Sequence, residues 1–256
     1  MTSGPISIAI FGVTSDIAMA VARQYAEAGA RLVIAGRNAA ALSDAAADLR
    51  VRGAAEVAVV RADVRDPQVL SDIAEEAWSC FGGLDAALIA YGVMHAQADA
   101  ERSAALASEV FAINFASPAI LIGALANLFE TKGQGTIAAI TSVAGDRGRK
   151  DNYIYGSAKG GLQRFLQGLQ HRMAGTKVRI VDIRPGFVRT RMTRNLQTDG
   201  PLWATPDRVA RDIIRAIERG APVRYTPGFW RLIMLIIRLM PRFVFNRLSL
   251  SAKVES

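Results

Sequence analysis

The sequence predicts a doubly wound α/β fold, a parallel sheet of about seven strands with helices on both faces. Apolar runs of strand length alternate along the chain with longer segments of helical period. Those runs are rich in Ile, Val and Ala with no polar alternation, the mark of strands buried on both faces. Strand and helix follow one another in βαβα order, which makes successive strands parallel.

ISIAIF (6–11) is the first run and precedes a helical stretch from Asp16 to Ala28. RLVIA (31–35) precedes another from Ala39 to Val51. AEVAVV (55–60) leads to a helix announced by Asp66-Pro67, a capping side chain followed by a proline. LDAALIA (84–90) is followed by helical patterning that continues, with breaks, to Glu130. GTIAAIT (135–141) comes before a helix carrying Tyr155, and VRIVDI (178–183) closes the series. No linker, repeat or low-complexity segment interrupts residues 1–226, which read as one domain, and residues 227–256 read as a distinct tail.

A chain of 256 residues, 51% hydrophobic and 21% charged, can bury a substantial core and is not of disordered composition. The one cysteine, Cys80, allows no internal disulfide, and with 2 histidines a Cys/His metal cluster is excluded, so no metal is expected. The N-terminal apolar run lacks a basic flank and is too short for a secretory leader. A reducing, cytoplasmic setting is therefore expected. The net charge is +8, and 26 of the 31 basic residues are arginine. Such a balance suits nucleic acid, an anionic membrane or a phosphate-bearing ligand, or is plain compositional bias. No nucleic-acid motif and no basic cluster interleaved with aromatics occurs, so nucleic acid is not an expected partner.

The stretch DNYIYGSAKGGLQRF (151–165) holds two tyrosines and a lysine. On a helix an offset of four turns about 40° around the axis and an offset of six about 240°. Lys159 therefore shares a face with Tyr155 and not with Tyr153, and an ammonium there can lower the phenol's pKa.

In a doubly wound fold the ligand lies beyond the carboxyl ends of the strands, near the switch point. In the first turn, FGVTSDIAMA (11–20), Gly12 permits a tight bend, and Thr14 and Ser15 offer hydroxyls and amides. The helix entered through Asp16 and Ile17 points its positive end at a phosphate. Asp16 and Ala18 stand where a three-glycine dinucleotide loop has its second and third glycines, so a plain strand–helix turn also fits. Strand two ends in Gly36 and Arg37 rather than a carboxylate. Arg37 either pairs with a 2′-phosphate, favouring NADP(H) over NAD(H), or stands as a solvated charge. Asp63 and Val64 follow strand three where an adenine amino group is met, although Asp63 also suits a helix cap. Tyr91 and Gly92 form a tight turn against the cofactor or an ordinary loop. Asn114, in FAINFAS, is a polar group at a core-facing position, either a structural hydrogen-bonder or part of a proton relay. Ser142 ends strand five. Pro185-Gly186 turns the chain after strand six, and Val188 and Thr190 can meet a carboxamide or phosphate.

Taken in order and spacing, Asn114, Ser142, Tyr155-x-x-x-Lys159 and Pro185-Gly186 resemble the short-chain dehydrogenase/reductase family over roughly residues 6–225. The resemblance implies a Rossmann-like domain, a homo-oligomer, and reduction of a ketone to a secondary alcohol with NADPH, NADH being the lesser alternative. It implies Tyr155 as general acid and Ser142 as a hydrogen-bond donor to the same carbonyl oxygen. It gives Lys159 the nicotinamide ribose and a depressed phenol pKa, and Asn114 a relay water. Tyr153 is expected on the substrate side.

The tail, GFWRLIMLIIRLMPRFVFNRLSL (228–250), is apolar and punctuated by arginine. As one helix it places Arg231, Arg238 and Arg242 within about 40° of one another, a basic amphipathic helix suited to a membrane interface or an oligomer contact. Pro241 and the arginines make it no transmembrane span. VTSDIA, SVAGDR (142–147), RPGFVRTRM (184–192) and this tail together are similar to the reductases of polyprenylphosphoryl 2-keto-pentoses. These complete a ribose-to-arabinose epimerisation for cell-envelope sugars after an oxidase has made the ketone. That likeness implies a lipid-linked ketone, a flavin oxidase partner and peripheral membrane contact. Arg147, Arg149, Arg189 and Arg191 then face the substrate phosphate or are solvated charges. A general ketone or 3-oxoacyl reductase of the same family is the alternative. Intact Tyr155 and Lys159 argue against a non-catalytic nucleotide-sensing module.

Overall fold

The computed structural model describes residues 4–194 and 200–247. The all-apolar runs form the interior of a sheet. In chain order the elements begin β1 (Ser7–Phe11), α1 (Asp16–Glu27), β2 (Arg31–Gly36), α2 (Ala39–Val51), β3 (Glu56–Arg61) and α3 (Leu70–Ser79). They continue with β4 (Ala86–Ile89), the short helices α4 (Gln97–Ala100) and α5 (Ala104–Phe111), then α6 (Ser117–Lys132) and β5 (Gln134–Ile140). Next come α7 (Tyr153–Arg172), β6 (Lys177–Pro185) and the small strands β7 (Phe187–Val188) and β8 (Trp203–Ala204). The chain closes with α8 (Pro206–Arg219), β9 (Val223–Thr226), α9 (Trp230–Leu239) and α10 (Arg242–Phe245).

Seven strands make one parallel sheet in the order β3-β2-β1-β4-β5-β6-β9. The order reverses between β1 and β4, so the loops after these two strands flank a crevice. Every residue of β1 and β4 is buried. α1, α2 and α8 cover one face and α3, α6 and α7 the other, each over its own hydrophobic layer. Phe11 and Phe129, fully buried in the second layer, contribute about 1.5–3 kcal/mol each.

Helix starts follow their chemistry. Ser15 caps α1, accepting from the Ala18 N–H, and Asn38 caps α2 through the Ala41 N–H. Asp66 accepts from the Gln68 N–H before Pro67, as the sequence suggests. The patterning that runs to Glu130 is broken at a π-helical turn, Ala112–Ala116. The span Ala104–Lys132 is long and apolar enough to cross a membrane, yet half of its apolar window is buried, with α6 packed on α3 and α7.

The tail is not one helix. Met240, preceding Pro241, adopts an extended conformation with ψ 128°, the geometry that a following proline imposes. The chain breaks there into α9 and α10, and Arg242 leaves the face shared by Arg231 and Arg238. Residues 248–250 of the expected helix lie outside the described residues.

Candidate active site

Of the side chains singled out in the sequence, Tyr155, Lys159, Ser142 and Asn114 come together beyond the carboxyl ends of β4 and β5. Helix α7 carries Tyr155 and Lys159, and the Lys159 ammonium lies 5.8 Å from the Tyr155 ring centre, as an offset of four on one face requires. Tyr153 opens the same helix, is exposed, and donates its hydroxyl to Glu101 at 3.2 Å. Ser142 caps a short 3₁₀ turn (Val143–Gly145), its Oγ accepting from the Ala144 N–H at 3.1 Å, and stands near enough to the Tyr155 phenol to act on its acidity. The turn lies directly on α7 because Gly156 and Gly160 stack on one helix face. A Cβ at Gly156 would stand 2.8 Å from the Ala144 carbonyl oxygen, and one at Gly160 3.0 Å from that of Gly145. This G-x-x-x-G spacing brings the serine to the tyrosine, and it is readable in the sequence. Gln163, one turn further on, locks the turn by donating to the Ser142 carbonyl at 2.8 Å.

Burial sets the protonation states. The Tyr155 phenol is pushed up to about 12 by desolvation, and Ser142 beside it offsets only part of the rise. Lys159 is pulled down to about 8 by desolvation, against the attraction of Asp182. The expected acidification of the phenol by Lys159 is therefore corrected. The ammonium donates to the Ile140 carbonyl at 3.0 Å, and desolvation is the largest influence on the phenol. At neutral pH the tyrosine is a protonated acid.

Asn114 is wholly buried in the π turn, a feature frequent at functional sites. Its amide donates to the carbonyls of Val93 at 2.8 Å and Val110 at 3.0 Å, and its oxygen accepts from the Val93 N–H at 3.3 Å. Both of its N–H groups are thus spent on backbone, and the residue clamps the turn after β4 to the π segment. Gly92 lies at the same point. A Cβ there would stand 2.6 Å from Asn114 Oδ1 and 3.5 Å from Lys159 Nζ.

A cleft leads away from this point toward β2, lined by Gly12, Thr14, Ser15, Arg37, Val64, Tyr91 and Gly92 among the expected residues. Gly12 takes φ +83°, and a Cβ on it would stand 2.8 Å from Tyr91 Cβ, so the loops after β1 and β4 approach this closely only with glycine. Arg37 is exposed and, among the described residues, in no ion pair. The donor set suits a dinucleotide: the α1 N-terminus with the Thr14 and Ser15 hydroxyls at the bend, and Arg37 and Arg65 at the far end.

Other expected contacts are placed elsewhere. Both oxygens of Asp16 are taken by Arg191, from its backbone N–H at 2.6 Å and its Nε at 2.9 Å. Asp16 thus holds the segment after β7 across the cleft, where Arg191, which also donates to the Thr14 carbonyl, and Met192 form a wall. Ile17 packs on the first core layer. Asp63 is exposed and turns its loop by accepting from the Arg65 N–H at 3.1 Å. Pro185 and Gly186 do not line the cleft. A Cβ on Gly186 would stand 1.9 Å from Trp230 Nε1, so this glycine makes room for the tail tryptophan. Val188 is buried, and the Thr190 N–H donates to Thr193 Oγ1 at 3.1 Å within a capping box. The pair shapes the loop that presents Arg191.

Sequence reasoning missed a polar network behind the Ser142 turn. Arg184, with a side chain 14% exposed, donates to Asp182 Oδ2 at 2.7 Å, Asp146 Oδ1 at 3.0 Å and Tyr225 Oη at 3.1 Å. Tyr225 in turn donates to Asp146 at 2.7 Å, and Thr141 donates to Asp182 at 2.5 Å. Burial works against the guanidinium charge, but Asp182 and Asp146 more than offset it and raise its pKa. Of the two readings the sequence leaves for Arg147, a phosphate contact or a solvated charge, the structure shows neither. The guanidinium instead donates to the carbonyls of Ile237 and of Met240 (2.7 Å) at the end of α9 and stacks 3.8 Å over Phe245.

Residues 7–200 match the family model described as short chain dehydrogenase. The chain is a short-chain dehydrogenase/reductase. Over 251 residues it is 40% identical to an uncharacterized oxidoreductase of Mycobacterium tuberculosis, covering 96% of this chain and 98% of that one. An uncharacterized oxidoreductase of Streptomyces coelicolor is 37% identical over 248 residues, covering 95% and 96%. Among solved structures, a variant of actinorhodin polyketide ketoreductase with NADPH superposes with a TM-score of 0.78 at 21% identity, over 88% of this chain and 97% of the other. That likeness is one of fold, and it confirms this short-chain dehydrogenase/reductase as Rossmann-like. A nicotinamide cofactor is the one its family uses.

Proposed function

We propose that this protein reduces a ketone to a secondary alcohol with NADPH. The reading rests on Tyr155 standing with Ser142 and Lys159, and on the Lys159 ammonium lying by Gly92, which lines a cleft that also holds Arg37. Thr14, Ser15 and the α1 N-terminus would hold the pyrophosphate, and Arg37 would pair with the 2′-phosphate. A nicotinamide held there would supply hydride to the carbonyl carbon. Tyr155, kept protonated by burial, gives its proton to the carbonyl oxygen. Ser142 donates a hydrogen bond to the same oxygen, and the Lys159 ammonium stabilises the phenolate as it forms.

Two tests follow. Arg37→Asp places a carboxylate where the 2′-phosphate would lie, and is expected to weaken NADPH by roughly 1.5–3 kcal/mol, tenfold or more, with little loss for NADH. Fluorescence titration of both cofactors measures this, and equal losses contradict the phosphate pairing. The second is the pH profile of kcat/KM, which reports groups of the free enzyme. Because burial lowers Lys159 to about 8, its charge is present below that pH and lost above it. Reduction is expected to fall as pH rises through about 8, while Tyr155, at about 12, stays protonated. Lys159→Arg keeps its charge and should carry the descending limb to higher pH. A wild-type profile flat into the Lys159→Arg range contradicts the role given to the ammonium.

For the substrate, we propose the 2-keto group of a polyprenylphosphoryl pentose in arabinose-lipid synthesis, with a flavin oxidase supplying the ketone. The motif likeness and the apolar, basic tail support it. The second reading, a general ketone or 3-oxoacyl reductase, is favoured by Arg147 and Arg191, whose guanidiniums are already spent on α9 and on Asp16. NADPH oxidation by the full chain with a polyprenyl-linked ketone, set against a soluble and an acyl-linked one, separates the two.

A further inference from the structure

The side of α9 turned away from the protein is apolar, and nothing among the described residues covers it. Trp230, Met234 and Ile237 point inward and are buried with Val143 and Phe187. Leu232, Leu235, Ile236 and Leu239 fall on the opposite side at about 100° per residue, and are 63%, 50%, 56% and 75% exposed. Phe243 on α10 is likewise 67% exposed. Arg231 and Arg238 stand together on one flank of α9 and Arg242 follows on α10, all exposed, and no acidic residue occurs between positions 227 and 247.

We propose that this face docks on an anionic lipid bilayer, with α9 lying in the headgroup layer, its leucines turned into the acyl boundary and its arginines on the lipid phosphates. Apolar residues directly opposite the buried face serve no purpose in water, and a basic flank sets the helix flat on a negative surface. Charge decides against a second copy of the chain as occupant. Isologous pairing would bring these arginines toward their own copies with no acidic partner on either helix, whereas anionic headgroups supply the counter-charge. At 10 residues α9 spans about 15 Å, which suits lying along the interface and cannot cross it.

The docked helix is also the one that backs the site. Arg147, five residues beyond Ser142, caps its last carbonyls, and its Trp230 fills the space over Gly186. Binding to a bilayer is read without turnover and stands apart from the reaction proposed above.

The experiment is flotation of the full chain with vesicles of phosphatidylcholine and phosphatidylglycerol in equal parts, against phosphatidylcholine alone. The protein is expected to float with the anionic vesicles and to be released by high salt. The triple variant Arg231→Gln, Arg238→Gln, Arg242→Gln should lose roughly a hundredfold in affinity, about fivefold for each charge. Leu235→Glu with Leu239→Glu should also abolish flotation with every arginine in place, which separates insertion from mere charge adsorption. Both variants alter exposed positions, and an unchanged far-UV spectrum and melting point verify their fold. Wild-type protein that stays at the bottom with anionic vesicles overturns the proposal. So does flotation indifferent to both variants. Self-association abolished by Leu235→Glu, with no vesicle binding, would give the face to a second copy instead.

Discussion

Tyr155→Phe is expected to lower turnover of the ketone by roughly 10²–10⁴-fold while leaving NADPH affinity nearly unchanged. That loss corresponds to about 3–5.5 kcal/mol of transition-state stabilisation at 1.36 kcal/mol per decade. The substitution removes one oxygen and keeps the ring, so packing around α7 persists. Two things are lost together: the proton donated to the alkoxide and the hydroxyl that stands beside Ser142. Loss should fall on kcat, since the phenol is asked to do its work as charge develops on the carbonyl oxygen. Single-turnover oxidation of NADPH measures the chemical step, and a fluorescence titration measures binding. Turnover within a few-fold of wild type would remove Tyr155 from the chemistry. Loss of NADPH binding would instead make it a structural residue of the cleft.

The largest effect on stability is expected from Arg184→Leu. The arginine is the cation between Asp182 and Asp146, whose side chains are 2% and 0% exposed. Removing one partner of a buried pair leaves uncompensated charge, which costs about 3–5 kcal/mol. For a chain of this size each kcal/mol moves Tm by about 2–4 °C, so a fall on the order of 10 °C is expected. Urea unfolding at neutral pH gives the free energy directly. Adding Asp182→Asn to Arg184→Leu should restore part of the loss, because it removes one stranded carboxylate, and this non-additivity marks the coupling. A loss below about 1 kcal/mol, the range of exposed pairs, would show that solvent screens the network. The network touches the Lys159 environment through Asp182 and the Ser142 turn through Asp146, so the double variant should also perturb the pH profile.

What the sequence made legible was local or periodic. An offset of four chose Tyr155 over Tyr153, and the apolar runs located six of the seven sheet strands to within a residue or two. The seventh, β9, is four residues long with an arginine in it, too short and too polar for a run to mark it. What stayed hidden depends on contacts far apart in the chain. Asp16 reads as a degenerate phosphate loop until Arg191, 175 residues away, is seen to hold both its oxygens. Gly186 reads as part of a cofactor turn, yet the group pressed against it is Trp230. Arg147 reads as a phosphate contact or a solvated charge, and its partners are carbonyls at the end of a helix 90 residues on. Acidification of the phenol was a pairwise argument made without burial, and burial is the larger force on both groups. The tail carried its own warning in Pro241, whose restriction of Met240 splits the helix.

A crystal structure of the protein with NADP⁺ and a slowly reduced ketone tests the arrangement most directly. The ketone oxygen is predicted within about 2.6–3.2 Å of both Tyr155 Oη and Ser142 Oγ, with the nicotinamide ring against its carbon and the adenosine end beside Arg37. A carbonyl bound out of reach of those two hydroxyls, or a dinucleotide seated anywhere but the cleft that begins at Gly12, would contradict it.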